Sequence, residues 1–229
     1  FYEDWLRSIR LDQLENGYVL GTVPQIRNYV QQGDTGSLGW GDVILTLPHQ
    51  LYQLYGDKEV LQANYEAMEE WMQSMERAAH ELPSEAVPYG GSQTEQNCDE
   101  RSLENQRYLI NTGFHFGDWI IPSVVNEEGF TDGPASAFLT MNYVGSSLLA
   151  ADADMFSEIS ELVGNMENAE KYCAYANRVR QAFEEEYVSE DGKLGQEMQG
   201  NYILALRHHM VSPEKEPLLA ERLNELVVK

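Results

Sequence analysis

Apolar residues recur along most of this 229-residue chain with the spacing of α-helices. The clearest stripe runs through residues 57–82, where large apolar side chains follow one another at steps of four and three. Weaker versions of the same pattern predict helices over residues 1–13, 42–55, 141–162, 169–187, 199–211 and 214–228. Residues 18–20 and 123–125 carry short, isolated strand signals. The pattern therefore predicts an all-α fold.

The predicted helices follow one another in pairs. Short connections join the partners of a pair, whereas long connections, 14–41 and 83–133, separate the first helix and the pairs. Repeated helical hairpins are typical of a toroid or of a solenoid. The absence of a strict sequence period favours the toroid, and long loops in such a scaffold are the usual place for function.

Composition and charge narrow the function classes. The chain is 42% hydrophobic, which is too apolar for disorder, and its 38 acidic residues against 15 basic ones give a net charge of −23. We expect no nucleic-acid partner and no anionic membrane surface as partner, because both require Lys and Arg. No apolar run is long enough to span a bilayer, and no secretory signal follows Phe1. The start resembles an internal position of a longer protein, and the cellular compartment stays open.

Two glycine-bearing clusters each place a tryptophan beside an aspartate. They are residues 36–42, which include Trp40 and Asp42, and residues 114–119, which include Asp118 and Trp119. This combination suits a sugar, because an indole packs on the C–H face of a pyranose and carboxylates accept from its hydroxyls. The structural alternative is that Asp42 is an N-cap and Trp40 a core residue.

Other polar residues carry weaker signals. The histidines show no metal-ligand spacing, and only His115, close to Asp118, is a candidate for binding; otherwise it is a structural histidine. Cys98 and Cys173 form no disulfide framework, and Cys173 is predicted to be a packed thiol. The run 184–186 of three glutamates is interpreted as a solvated helix face. No metal or cofactor is predicted.

The order of several motifs resembles the bacterial α-L-rhamnosidases of glycoside hydrolase family 78. The most specific are Gly-Trp-Gly-Asp at 39–42, Tyr-Gly-Asp at 55–57 and Gly-Asp-Trp at 117–119. Matches in the same order cover nearly the whole chain: 1–13, 16–17, 23–24, 36–42, 48–57, Tyr65, Met68, Trp71, 117–122, 149–153, 162–164, 169–172, 191–192 and 199–206. Each motif is modest alone, and the ordered set carries the resemblance.

The resemblance implies an (α/α)6 six-hairpin toroid, of which residues 1–229 would form only a part. It implies inverting hydrolysis of terminal α-L-rhamnosides without a metal, with a rhamnose-containing glycoside as the binding partner. Carried over to this sequence, the family's substrate-binding positions fall on Trp40, Asp42, Asp118 and Trp119, and we add His115 as the histidine close to them.

The two catalytic carboxylates of the family find no match. The family's general acid lies in an Asp-Glu-Arg stretch ahead of the first helix seen here, and its general base lies beyond the last helix. The run 99–101 has the same three letters but occurs in a different segment without the following Gly-Trp, so it is interpreted as a solvated loop. The catalytic residues are therefore unknown, and we expect the chain alone to be inactive.

Two alternatives remain open from the sequence. One is a non-catalytic helical scaffold or sugar-binding module, and the other is a six-hairpin glycosidase that acts on a different sugar. If the chain is part of a barrel, helices 1–13 and 214–228 lack neighbours, which predicts exposed apolar area or self-association there.

Overall fold

The computed structural model describes residues 1–24, 36–81 and 99–228. Within these ranges the regular structure is helical: α1 (Tyr2–Asp12), α2 (Val43–Tyr55), α3 (Glu59–His80), α4 (Glu100–Gln106), α5 (Gly133–Val163), α6 (Met166–Tyr187), α7 (Gln199–Arg207) and α8 (Glu216–Val228). The predicted all-α fold is confirmed. Seven of these helices lie where the apolar pattern predicted them, and α4 was not predicted.

The two strand signals were wrong. Residues 18–20 form no strand, and in 123–125 only Val125 makes an isolated bridge, to Thr131. Val19 and Leu20 are buried. Their apolar character therefore reflects burial and not strand pairing.

The chain divides into two compact units. The first comprises Phe1–Arg77 and Ala151–Ala176, and the second comprises Ala78–Ala150 and Asn177–Lys229. Helices α3, α5 and α6 each contribute residues to both units.

Aromatic rings and methionines form the core of the first unit. Phe156 lies between two tyrosines, with ring centroids 5.2 Å from Tyr65 and 4.9 Å from Tyr172. Trp71 is fully buried on α3, together with the methionines of its stripe, Met68, Met72 and Met75. The methionine stripe is therefore core, as the periodicity predicted.

The second unit has its own aromatic core. Tyr143 and Phe183 both pack against Tyr187, with ring centroids 4.7 Å and 5.2 Å away. The buried Tyr187 hydroxyl donates to Oδ1 of Asn111 at 2.9 Å, so its polar end is satisfied. Helix α7 packs on α8, which confirms the last predicted hairpin.

The run 99–101 was wrongly interpreted as a loop. Asp99 is the N-cap of α4, and its carboxylate accepts from the backbone N–H of Ser102 at 2.8 Å. Arg101 then reaches Glu185 of α6, with its Nη2 2.8 Å from Oε1. Side-chain capping and an ion pair stabilise this short helix, and neither is visible in hydrophobic periodicity.

The glutamates 184–186 were also misinterpreted, because each has partners in the second unit. Glu184 accepts from the backbone N–H of Ser212 at 2.5 Å, and Glu185 accepts from Nδ2 of Asn105 at 2.9 Å. Glu186 accepts from the Ser102 hydroxyl at 2.6 Å and from the other hydrogen of the Asn105 amide at 2.8 Å. The acidic run is therefore an anchoring cluster that ties α4 and the segment before α8 to α6.

This anchoring predicts a dependence of stability on acid. Hydrogen bonds from Arg101 and Asn105 lower the pKa of Glu185 to about 2, below the 4.5 of an unperturbed glutamate. The stabilisation is complete above pH 4.5 and is lost as the pH falls towards 2. We expect Glu185→Gln to destabilise the protein by about 1 kcal/mol at pH 7, the scale of an exposed ion pair, and by much less at pH 3. Urea unfolding at both pH values measures this, with the exposed Glu190→Gln as control. Equal losses at the two pH values would contradict it.

Three further sequence predictions concern the surface. Cys173 is exposed and not packed, because its neighbour Tyr172 takes the buried position on α6; Cys98 lies outside the described residues. No helix in the described ranges is long and apolar enough to cross a membrane. Apolar side chains are exposed on both terminal helices, among them Leu11 of α1 and Val228 of α8. Self-association stays a prediction.

Candidate functional site

The first Trp/Asp cluster forms a tight turn that leads into α2. The backbone N–H groups of Trp40 and Gly41 both donate to the carbonyl of Ser37, at 3.1 and 2.9 Å. Leu38 is buried within the turn, whereas the Trp40 side chain is 47% exposed. The structural alternative for Trp40, a plug in the core, is therefore wrong.

Trp40 and Asp42 lie in the wall of one cavity of the first unit. The cavity has a volume of about 400 Å³, which falls within the range of small-molecule sites. Its remaining lining comes from α1, the segment after it and the first turns of α2: Trp5, Ile9, Leu20, Gly21, Val23, Gly39, Val43 and Thr46. The exposed Trp40 indole and the residue Asp42 therefore belong to the wall of one mostly apolar cavity.

The Asp42 carboxyl does not serve as a helix cap. Asp42 occupies the N-cap position of α2, yet its side chain makes no capping hydrogen bond. Its Oδ1 is buried and has no hydrogen-bond partner among the described residues. Burial raises the pKa of this carboxyl, against the lowering effect of the Asp42 and Gly39 backbone N–H groups. The site therefore holds an acceptor oxygen that is withdrawn from water and unused.

A second carboxyl group, missed in the sequence, lies close enough to interact with Asp42. Asp152 of α5 is 2% exposed, and its Oδ2 accepts from Nε1 of Trp71 at 3.3 Å. Burial, and then the charge of Asp42, raise the pKa of Asp152 well above its usual value. A signal was available: Asp152 comes four residues after Leu148 and three before Met155, so it lies within the apolar stripe.

Trp71 connects this buried acid to the turn. A Cβ added at Gly36 would lie 2.6 Å from Cζ3 of the Trp71 ring, and one added at Gly41 would lie 2.5 Å from Cη2. Glycines therefore allow the backbone of the turn to rest directly on the indole. This is the chemical reason for two of the glycines in the first cluster.

The second cluster lies in the second unit and surrounds Trp119 with phenylalanines. Phe114 and Phe116 meet the Trp119 ring edge-on, with centroids 6.0 and 5.3 Å away. Gly133, the first residue of α5, packs so closely on Trp119 that a Cβ there would clash with the indole. Trp119 is thus held by packing on several sides and remains partly accessible.

Asp118 points its carboxylate towards the start of α7. Its backbone N–H donates to Oγ1 of Thr140 at 2.8 Å, and a Cβ added at Gly200 would lie 2.9 Å from Oδ2. Asp118 also lines a cavity of about 360 Å³, together with Glu197 and Gln199.

His115 is buried and uncharged. It is 3% exposed, and burial lowers its pKa to about 4, against the raising effect of a hydrogen bond with the Thr112 backbone. At neutral pH its ring can therefore donate one hydrogen bond and accept another, but it carries no charge. Its assignment to substrate binding remains a prediction.

The described residues offer no metal centre. Within 1–24, 36–81 and 99–228, no three His, Cys, Asp or Glu side chains are arranged to hold an ion. His49 pairs instead with Glu158, Nε2 to Oε2 at 3.2 Å, and His209 pairs with Glu216 at 2.7 Å. The two clusters therefore supply indoles, carboxyl groups and a neutral imidazole, which is chemistry for hydrogen-bonding a neutral polar ligand.

Known proteins give the chain its context. A family model described as the bacterial alpha-L-rhamnosidase 6 hairpin glycosidase domain matches residues 1–229. An alpha-L-rhamnosidase of Formosa agariphila is 28% identical over 99% of this chain and 21% of its own length. One of Streptomyces avermitilis is 26% identical over 99% of this chain and 18% of its own length. The chain thus spans about a fifth of the length of these relatives.

Solved structures agree on the fold. The alpha-L-rhamnosidase of Streptomyces avermitilis complexed with L-rhamnose matches 99% of this chain and 18% of its own, with a TM-score of 0.68 and 24% identity. That of Aspergillus terreus matches 99% of this chain and 23% of its own, with a TM-score of 0.69 and 22% identity. These likenesses support the helical fold of the six-hairpin glycosidases that the sequence predicted. With its whole length matched by the family model, the chain belongs to the bacterial α-L-rhamnosidase six-hairpin glycosidase domain family.

Proposed function

We propose that this chain contributes a rhamnose-binding wall to an α-L-rhamnosidase, which hydrolyses terminal α-L-rhamnosides with inversion. The curated relatives bear that enzyme name, and one similar structure was solved with L-rhamnose. Their names favour rhamnose over the other sugars that six-hairpin glycosidases act on. The same names favour an enzyme over a non-catalytic scaffold.

The buried, unpartnered Oδ1 of Asp42 carries the proposal. A polar atom that is withdrawn from water without a hydrogen bond costs roughly 1–3 kcal/mol. Asp42 lines the 400 Å³ cavity, and a sugar hydroxyl that reached its buried Oδ1 would donate to this oxygen and remove that cost. The half-exposed Trp40 indole in the same wall offers an apolar face for the ring C–H groups.

In the second unit we propose Asp118, Trp119 and His115 as further rhamnose-binding residues. Asp118 would accept from a hydroxyl, and Trp119 would supply an apolar surface. The uncharged His115 would donate or accept a hydrogen bond. Family resemblance supports the first two roles, and proximity in sequence supports the third.

No residue is assigned to bond cleavage. Inversion needs one carboxylic acid that protonates the leaving oxygen and one carboxylate, about 6.5–9.5 Å away, that activates water. The resemblance carries neither group onto a residue of this sequence. We therefore expect the chain to bind rhamnosides without releasing nitrophenol from 4-nitrophenyl α-L-rhamnoside.

Titration calorimetry of the chain with L-rhamnose tests the binding wall. We expect Trp40→Ala to weaken the affinity about tenfold, because losing an aromatic face costs on the order of 1–2 kcal/mol and 1.4 kcal/mol is a factor of ten. Asp42→Asn should also weaken binding, since a neutral amide oxygen is a poorer acceptor than a carboxylate.

The matched control is Tyr55→Ala, which removes an aromatic ring that is 76% exposed on the same unit but does not line this cavity. An unchanged affinity in Trp40→Ala would argue against the stacking role. Equal binding of D-glucose and L-rhamnose would favour a glycosidase of another specificity. Release of nitrophenol would show that a catalytic acid was overlooked.

A further inference from the structure

Asp152 is a carboxyl group in the hydrophobic core with no cation beside it. It is 2% exposed, and no Lys or Arg in the described part of the chain pairs with it. Its Oδ2 accepts a hydrogen bond from Nε1 of Trp71 at 3.3 Å. An apolar residue would stabilise this position better, because a buried carboxyl loses hydration without full compensation.

The Trp71 indole links Asp152 to the proposed sugar site. The backbone at Gly36 and Gly41 touches the six-membered ring of Trp71, and Asp42 is the next residue after Gly41. A shift or tilt of the indole would therefore move the turn that presents Asp42. The indole N–H is the one polar group that can fix the ring's rotation in its plane, and Asp152 holds it.

Among the charged groups near Asp152 and Trp71, Asp42 is the one whose charge affects the pKa of Asp152. Of the other ionisable groups on the packed helices, His49 of α2 pairs with Glu158 of α5 at 3.2 Å. On α3, Glu69 accepts from Asn168 at 3.0 Å and Glu76 from Lys171 at 2.9 Å. Two carboxyl groups that share a dry region cannot both ionise cheaply, so one keeps its proton.

We propose that Asp152 is a positioning residue for Asp42: its carboxyl oxygen fixes the Trp71 indole, and the indole fixes the turn that presents Asp42 to a sugar. The expected effect on rhamnose binding rests on the proposed function, whereas the contacts between Asp152, Trp71 and the turn do not. Burial raises the pKa of both carboxyl groups, and the charge of Asp42 adds to the rise at Asp152. We infer that Asp152 keeps its proton to higher pH than Asp42, and an ionised Asp42 is a stronger acceptor than a neutral one.

The protonation state is tested on the full chain by the carboxyl ¹³C resonances of labelled aspartates followed against pH. We expect the Asp152 signal to keep its protonated form to higher pH than the Asp42 signal does. In Asp42→Asn the charge that opposes ionisation is gone, so Asp152 should titrate at lower pH. An Asp152 that ionises at the pH of an unperturbed aspartate, or before Asp42, in the wild type would overturn this order of protonation.

Positioning is tested by L-rhamnose affinity in three variants. Asp152→Asn keeps a neutral acceptor for the indole N–H, and its affinity should stay within about threefold of the wild type. Asp152→Leu removes the acceptor and should lose at least tenfold, and Trp71→Phe, which removes the donor, should lose as much. The double variant of the last two should lose no more than either alone, because both break one link. Rescue by asparagine but not by leucine separates positioning from mere filling of space.

The control is Asp154→Asn, which removes an exposed carboxylate two residues away on the same helix. Wild-type affinity in Asp152→Leu would overturn the inference. If Asp152→Leu does not fold, Trp71→Phe and the wild-type spectra still decide. If the wild type binds no L-rhamnose, the proposed function fails, but the positioning role of Asp152 can still be tested. The test is then the titration of the Asp42 carboxyl resonance in Trp71→Phe. A changed titration supports positioning, and an unchanged titration overturns it.

Discussion

We expect Asp152→Asn to gain stability relative to the wild type as the pH rises above 3.8. Burial raises the pKa of Asp152 far above the 3.8 of an unperturbed aspartate, so the folded protein keeps a proton that the unfolded chain releases. The stability that Asp152 contributes is complete below pH 3.8 and declines as the pH rises towards the folded-state pKa. The slope approaches about 1.4 kcal/mol per pH unit, which is the largest value for one proton.

Urea unfolding at half-unit steps of pH measures this difference. An asparagine does not titrate, so this component of the pH dependence should vanish in the variant, whereas Asp154→Asn should follow the wild type. A constant offset between Asp152→Asn and the wild type across the range would mean that Asp152 titrates normally. This outcome would also remove the physical basis for the inference that Asp152 keeps its proton to higher pH than Asp42.

Gly41→Ala is the second change with a large expected effect. The new Cβ would lie 2.5 Å from the Trp71 ring and 2.9 Å from the carbonyl oxygen of Val19, both well inside van der Waals contact. The indole is fully buried and cannot swing away, so the turn must shift. We expect a loss of about 1–3 kcal/mol of stability, the scale of overpacking in a core, together with loss of L-rhamnose binding.

Gly56→Ala is the comparison, because Gly56 has nothing within 4 Å of the added Cβ and its φ of +71° costs only left-handed backbone strain. That strain is about 1 kcal/mol and should leave binding intact. Gly41→Ala in a Trp71→Leu background should cost less than in the wild type, since the clashing ring is gone. If the losses of stability from Gly41→Ala and Trp71→Leu simply add in the double variant, the Trp71 ring is not the group that excludes a side chain at position 41.

The helices were predictable because one-sided burial of a helix leaves a local record in the sequence. The stripe of α3 predicts residues 57–82, and the helix spans Glu59–His80. The extent of α5 was underestimated, since it begins at Gly133, where the Asp132 carboxylate accepts from the N–H of Ala135 at 2.9 Å. Caps depend on side-chain hydrogen bonds, which apolar periodicity does not report.

Charged residues were less predictable than apolar ones. The glutamates 184–186 look solvated in the sequence but have side-chain and backbone partners in the structure. The run 99–101 is exposed, as expected, but it begins a helix and pairs with Glu185 through Arg101. Arg101 contacts Glu185 across 84 residues of sequence, and Ser212 contacts Glu184 across 28 residues. A charge pattern along the chain indicates a solvated face only when no distant partner meets it.

The sequence by itself determined the all-α fold, the family and the two Trp/Asp clusters, because periodicity and short motifs are properties of neighbouring residues. Only the tertiary structure decided the environment of the Asp42 carboxyl, which is buried and keeps one oxygen without a hydrogen-bond partner among the described residues. The N–H of Trp71 and the carboxyl of Asp152 are 81 residues apart, and their contact exists only because α3 and α5 pack together. Burial then changes the chemistry of these groups, since it withdraws water from a carboxyl oxygen that the sequence shows only as an aspartate.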